Sequence, residues 1–370
     1  MKMKKILFVS QRDYYPFHIG GAGISIHTLL KYLASRGHEC KSLCVLGQNL
    51  TNIEKYIADF KNNSVPYKFV SENVKIDNNI IPIESSLSFN LGYEIKLTLL
   101  YNFAKFFIRE ASAFKPDFII TQMMSSGMAV RFSFENNIPC VHLIRDVNSL
   151  YNFEPFYLEE KYRDYPCIYS NSKFVQRELF RKHKINSQVL YPSINTEDYE
   201  LSDQKPKYTT FINPHGQKGL EIFIKITEKM PNHKFLVVEG WDKIDKHSPL
   251  KKIKNVTLVE SQTDMRKVYK QTKILIVPSI RPEAFGRVVT EAQTSGIPII
   301  AARHSGLLES VGKGGILVND YLNVNSWVNN LNKLDSNNKE YQALSEKAFK
   351  NAEKFDVSTT TKDFCNKFQL

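Results

Sequence analysis

Long apolar runs, paired cysteines and clustered charge are what this 370-residue sequence lacks. No stretch approaches the roughly 20 consecutive apolar residues of a membrane-crossing helix. The opening MKMKKILFVS imitates a secretory leader, yet its apolar core is only about four residues and QRDYY follows with no small-residue cleavage site. It reads as a buried first strand. The five cysteines (Cys40, Cys44, Cys140, Cys167, Cys365) show no CxxC spacing and are odd in number. That argues against a disulfide framework and a zinc site, and it fits a reducing cytosol. There is no Arg-rich tract, nucleic-acid motif, internal repeat or low-complexity block. The 50 Lys and Arg outnumber 38 Asp and Glu for a formal charge of +12, but they are dispersed. An anionic partner is expected, either a phosphorylated small ligand or an anionic membrane face, and nucleic acid is not.

What is present is a steady alternation of short β-branched strands with helical segments, at 42% hydrophobic and 24% charged residues. In the first half run KILFVS, a helix near 22–36, CKSLCVL, a helix near 93–113, DFIIT, a helix near 127–136, PCVHLI, CIYSNS, a helix near 172–183 and SQVLYP. After the polar, turn-rich SINTEDYELSDQKPKY over 193–208, read as a linker, the alternation restarts with TTFINP and continues to GGILV. The expected fold class is α/β, with two Rossmann-like doubly wound domains facing a cleft that binds a ligand and closes on it. Domains are expected over 1–195 and 196–350, with 351–370 a C-terminal helix packing back on the first.

EAFGRVVTEAQTSGIPII, from Glu283 to Ile300, reads as loop, helix and strand following the strand ILIVPS. At the carboxyl edge of a parallel sheet, the amides of Phe285, Gly286, Arg287 and Val288 would be unpaired donors of a first helical turn, suited to a phosphate. Glu283 and Glu291 would lie up to about 12 Å apart at roughly 1.5 Å per residue, a spacing that suits carboxylates gripping hydroxyls at opposite ends of one elongated ligand. In FINPHGQKGLEIF, Lys218 at a helix start opposes the helix dipole unless an anion shares the spot; otherwise it is a solvated surface Lys. HIGGAG places Gly20 and Gly21 before the first helix, freeing backbone for close approach or simply for a turn. The dinucleotide fingerprint fails there, because Ile26 stands where the third glycine belongs. In CVHLIRDVNSLY, His142 could donate to a sugar hydroxyl and Arg145 could neutralise phosphate; the plainer reading is a core-edge His and an Arg paired with Asp146. On the expected 93–113 helix, Glu94, Thr98, Tyr101, Asn102, Lys105 and Arg109 share a face; the helix either packs on its own sheet or offers a basic amphipathic surface to a membrane.

These residues together resemble the family 4 glycosyltransferases, the retaining group with the GT-B architecture and an E-x7-E motif. The resemblance rests on the GG loop and RGHE, on YSNSKFV and VLYPSINTEDY, on KG, NVTLVE and DMRKVYKQTKILIVPS, and on Glu283–Glu291 followed by SGIPIIAARHSGLLE. It implies a hexosyltransferase that moves a sugar from a nucleotide-diphosphate sugar to a saccharide or lipid-linked saccharide acceptor in cell-envelope polysaccharide or glycoconjugate synthesis. Glu283 would hold hydroxyls of the donor sugar, Glu291 the ribose, and the turn Ala284, Phe285, Gly286, Arg287 and Val288 the diphosphate. Lys218 would offset charge on the departing diphosphate, His142 would contact sugar or acceptor, and Gly20 and Gly21 would approach from the other domain. Asn213 stands where many relatives carry Arg, leaving Arg287 or Arg145 to supply that charge. No D-x-D triplet occurs, which agrees with metal-independent transfer without a cofactor. A cytoplasmic protein is expected, peripheral at the inner membrane face if the 93–113 helix docks there. The competing readings are a nucleotide-sugar epimerase or phosphorylase on the same architecture, and a non-catalytic nucleotide-sugar-binding module.

Overall fold

The structure is a computed structural model that describes residues 2–15, 20–45, 61, 65–76, 79–98, 100–122, 127–151, 162, 165–201, 203–240, 244–245 and 247–370. The chain divides into two compact units: 1–171 with 178–190 and 362–370, and 172–177 with 191–361.

Among the described residues the first unit is built on nine strands in the order β3-β4-β5-β2-β1-β6-β7-β8-β9. They are β1 (Lys5–Asp13), β2 (Glu39–Val45), β3 (Tyr67–Ile76), β4 (Asn79–Asn90), β5 (Glu94–Thr98), β6 (Phe118–Gln122), β7 (Cys140–Ile144), β8 (Cys167–Ser170) and β9 (Gln188–Val189). Pairing is parallel from β5 to β9, and β3 and β4 add an antiparallel hairpin at one edge. Ile6, Leu7, Phe8 and Val9 are all buried, the signature of a central strand covered on both faces. Helices α1 (Gly21–Ser35), α2 (Phe103–Phe114) and α3 (Gly127–Glu135) follow β1, β5 and β6.

One expectation is corrected here. Residues 94–98 are a strand, not the start of a helix. EIKLT alternates with period two, Ile95 and Leu97 are buried, and Glu94 sits opposite Lys41 of β2 in a 2.8 Å ion pair. The continuous polar face expected from Glu94 to Arg109 therefore does not form. Only Lys105 and Arg109 lie on α2, whose Phe103, Phe106, Phe107, Ala111 and Phe114 pack inward. No helix among the described residues is long and apolar enough to cross a membrane. Residues 67–76 and 79–90 form the hairpin, while 46–60 and 152–161 lie outside the described residues.

Among the described residues the second unit has six strands, all parallel, in the order β12-β11-β10-β13-β14-β15. They are β10 (Tyr208–Ile212), β11 (Phe235–Val238), β12 (Val256–Val259), β13 (Thr272–Val277), β14 (Ile299–Ala302) and β15 (Gly315–Val318). The chain steps outward from β10 to β12, then restarts on the other side at β13, so the switch point lies between β10 and β13. Helix α4 (Lys173–His183) is divided between the units at residue 177, and the second unit's helices that concern the site are α5 (Leu220–Lys229), α6 (Arg266–Tyr269), α7 (Arg287–Thr294) and α8 (Leu307–Val311).

The expected linker 193–208 belongs to this unit. Its Ile194 and Tyr199 are buried in the unit's core, and the Tyr199 carbonyl accepts a 2.8 Å hydrogen bond from Ser295. Two apolar anchors among polar residues were enough to dock a stretch that composition alone reads as a spacer. The last helix, α9 (Val357–Phe368), starts in the second unit, and residues 362–370 cluster with the first, where Phe364 and Phe368 meet Phe118 at 6.1 and 4.8 Å.

Candidate functional site

Three loops at the carboxyl end of the second sheet converge at its switch point. The first follows β10. Asn213 follows the strand directly with φ 61°, a left-handed conformation that Asn tolerates, and its amide donates to the Val238 carbonyl at 2.8 Å. A short 3₁₀ turn, Gly216–Lys218, then ends at Gly219 with φ 87° before α5 begins. Lys218 thus sits on the turn ahead of the helix, not in its first turn. A Cβ at position 219 would collide with the Pro278 carbonyl, so this loop lies directly on the one after β13. The Gln217 carbonyl accepts from the amides of Ile280 and Arg281 at 3.2 and 3.3 Å, tying the two loops together.

The second loop, 278–286, carries Glu283. Lys218 Nζ donates to Glu283 Oε1 at 2.6 Å, and Ser279 Oγ donates to the same oxygen at 2.6 Å. Burial of Glu283 disfavours its charged form. The Lys218 charge, the hydrogen bonds from Lys218 and Ser279, and nearby His304 more than offset this and hold the carboxyl below its ordinary value. Phe285 is buried between Tyr191 and Phe355, with ring centroids at 5.6 and 5.1 Å, so its side chain anchors the turn while its backbone stays at the loop.

Gly286 caps α7 at φ 91°, and among the described residues nothing accepts from the amides of Phe285, Gly286, Arg287 or Val288. Those donors, with the positive end of the helix dipole, are suited to an anion. A Cβ at Gly286 would stand 2.7 Å from Leu307 Cδ2 and in a conformation L-residues avoid. Gly286→Ala is therefore expected to cost about 1–2 kcal/mol of stability and to weaken nucleotide binding, measurable by denaturant titration and calorimetry; unchanged binding would mean the turn does not contact ligand.

The third loop follows β14. The Glu283 amide donates to Ser305 Oγ at 2.9 Å, and the Gly306 amide donates to the Glu283 carbonyl at 2.9 Å. His304 joins Ser305 Oγ and the Ser279 carbonyl at 2.9 and 2.7 Å. Ser279, His304 and Ser305 escaped the sequence reading; only the position of HSG just after a strand's carboxyl end marks it.

Glu291 and Arg287 are placed differently from the expectation. Both are buried, at 4% and 7% exposure, with Glu291 accepting from the Tyr269 hydroxyl at 2.8 Å. Arg287 Nε lies 3.2 Å from Glu291 Oε1, and Nη2 donates to the Tyr199 hydroxyl at 3.3 Å. The ionic distance is short but the alignment is poor, leaving Nε and Nη1 without a hydrogen-bond acceptor among the described residues. Arg287 therefore points into the core and does not supply the charge that Asn213 lacks. Ala284 is held through its carbonyl, which accepts from Ser172 Oγ at 2.6 Å.

In the first unit, Gly20 precedes α1 as its cap and Gly21 is the first helical residue, beside the loop after β1; residues 16–19 lie outside the described set. That loop is at the switch point between β1 and β6. His142 is the middle residue of β7 and 3% exposed, and Arg145 follows the strand at 6% exposure. The structure brings Lys218 and Glu283 into direct contact, with Asn213 on the same loop as Lys218.

Two family models match the chain: that described as Glycosyltransferase Family 4 over residues 19–198, and that described as Glycosyl transferases group 1 over 193–351. A D-inositol 3-phosphate glycosyltransferase of Corynebacterium kroppenstedtii is 34% identical over 101 residues, 27% of this chain and only 22% of that relative's length. An uncharacterized 42.6 kDa protein in the cps region of Klebsiella pneumoniae is 25% identical over 334 residues, covering 80% of this chain and 84% of the relative. Among solved structures, Anabaena HepE in complex with UDP and glucose superposes with a TM-score of 0.75 at 16% identity over 99% of both chains. A glycosyltransferase from Rickettsia africae gives 0.71 at 17% identity, over 100% of this chain and 98% of that one. At such identities the likeness establishes the fold alone. With the family matches running through both units, the chain belongs to the family 4 glycosyltransferases of GT-B architecture.

Proposed function

We propose that this protein is a retaining hexosyltransferase that uses a nucleotide-diphosphate sugar and glycosylates a saccharide or lipid-linked saccharide in the cytoplasm. The observation that carries this reading is the Lys218–Glu283 pair, 2.6 Å apart, beside the open amides that begin α7. A diphosphate on those amides would lie next to Lys218, which offsets the negative charge that grows on the leaving group. Glu283, ionised, accepts from hydroxyls of the donor sugar. The acceptor hydroxyl attacks the anomeric carbon on the face from which the diphosphate leaves. The bond to the phosphate oxygen breaks with its electron pair, and that oxygen takes the acceptor's proton. Lys218 supplies positive charge that a divalent cation supplies elsewhere, so no metal or cofactor is invoked. Gly20, Gly21, His142 and Arg145 are assigned to sugar, diphosphate or acceptor contacts.

Support for a cell-envelope acceptor comes from the relative encoded in a cps region and from the formal charge of +12. The neighbour that binds UDP and glucose makes those the first donor components to try. A thermal-shift panel of UDP-glucose, UDP-N-acetylglucosamine and GDP-mannose should identify a stabilising donor. Free diphosphate should then appear only when acceptor is present, with or without EDTA. Acceptor-independent turnover points to an epimerase or hydrolase, binding without turnover to a binding module, and loss of turnover in EDTA removes metal independence.

A further inference from the structure

The hydrogen bonds around Glu283 close into a ring. Glu283 donates through its amide to Ser305 Oγ, Ser305 meets His304 Nδ1, His304 Nε2 meets the Ser279 carbonyl, and Ser279 Oγ returns to Glu283 Oε1. The proton positions follow from the partners. A carbonyl oxygen only accepts, so Nε2 carries the hydrogen; in the neutral ring Nδ1 then accepts from the Ser305 hydroxyl, whose oxygen receives the Glu283 amide. Every link has a donor and an acceptor. The ring joins the loop after β13 to the loop after β14 through the side chains of His304 and Ser305.

Two more observations single out this corner. Ser305 holds φ 54°, a left-handed conformation unusual for a residue other than glycine, Asn or Asp. Strain of that kind persists where the surroundings over-determine it, which is most often at functional sites. His304 also packs against Tyr321, with ring centroids 4.8 Å apart and the planes tilted by 52°, a contact that restricts its orientation.

We propose that His304, acting through Ser305 and Ser279, is a positioning residue that aims the Glu283 carboxylate at the donor sugar; this rests on the role given to Glu283 above. A carboxylate that grips sugar hydroxyls is useful only if its loop is held before the sugar arrives, and the ring fixes both its backbone and its carboxylate. His304 touches no ligand in this scheme. Its effect should therefore appear in the sugar-dependent part of binding and nowhere else.

The test compares affinity for a nucleotide sugar with affinity for its own free diphosphate, using UDP-glucose against UDP, and GDP-mannose against GDP, by calorimetry. His304→Phe keeps an aromatic ring against Tyr321 and removes both nitrogen bonds; Ser305→Gly removes the hydroxyl and relieves φ. Each is expected to weaken the nucleotide sugar about tenfold and the diphosphate less than twofold, with the double variant no worse than either single. Equal losses for both ligands would mean a merely structural role, and no loss for either would leave the ring without function; both overturn the proposal. Glu283→Ala separates the two levels. If it weakens sugar nucleotide and diphosphate alike, the role of Glu283 fails. If it discriminates between them while His304→Phe and Ser305→Gly do not, only the positioning role fails.

Discussion

Lys218→Ala is expected to lower kcat by about 10²–10³-fold, the usual cost of removing one group aimed at developing charge, while donor affinity falls by less than tenfold. The Lys218 ammonium is already paired before any ligand binds, 2.6 Å from Glu283. In the ground state it has a partner either way; only as the diphosphate departs does its charge meet more negative charge than it had. The interaction is therefore stronger in the transition state than in the complex. Steady-state kinetics with separate donor titration checks this, and equal effects on kcat and affinity would mean that Lys218 only binds.

The same substitution has a pH signature. Glu283 is held below its ordinary value chiefly because the Lys218 charge overcomes the cost of burial. A depressed folded-state value stabilises the protein above the unfolded value of about 4.3, and that contribution is lost as pH falls through the lower folded-state value. Without Lys218 the burial cost prevails, so the acid limb of activity should move to higher pH in the variant.

Glu291→Ala is expected to cost about 3–5 kcal/mol, because it leaves the Arg287 guanidinium buried without a counter-charge. Both side chains are 5% exposed, and the Arg287 nitrogens are already poorly served by hydrogen-bond acceptors. For a unit of this size the loss corresponds to a Tm drop on the order of 10 °C by calorimetry. Arg287→Met with Glu291→Met should recover most of it, since replacing a buried pair by apolar side chains of similar volume is often neutral. If Glu291→Ala instead leaves Tm unchanged and only weakens binding, the carboxylate is a ribose ligand and its internal partners contribute little.

Much of the second unit was legible because its strands are continuous apolar runs. TTFIN, FLVV, KILIV and IPIIAA can hardly be anything but buried parallel strands between turn residues, and their order places Lys218 and Glu283 at one sheet edge. What the sequence hid was direction. Arg287 and Glu291 stand four apart on one helical face, and nothing local says whether that face meets ligand or core; Tyr199 and Tyr269, far away in the chain, decide it. The same holds for His304 and Ser305, which gain meaning only where the β14 loop meets Glu283. In the first unit the error was one of period. YEIKLTLLYNF is apolar enough for a helix, but its EIKLT, Glu94–Thr98, pairs with β2 and β4 instead.

The central claim is that the amino end of α7 receives a diphosphate beside Lys218 and Glu283. A crystal structure with the donor's nucleoside diphosphate bound tests it most directly. Phosphate oxygens within hydrogen-bond distance of the amides from Phe285 to Val288, with Lys218 Nζ turned toward them, are the predicted result. A nucleotide bound elsewhere, with those amides capped by protein atoms, would contradict the account.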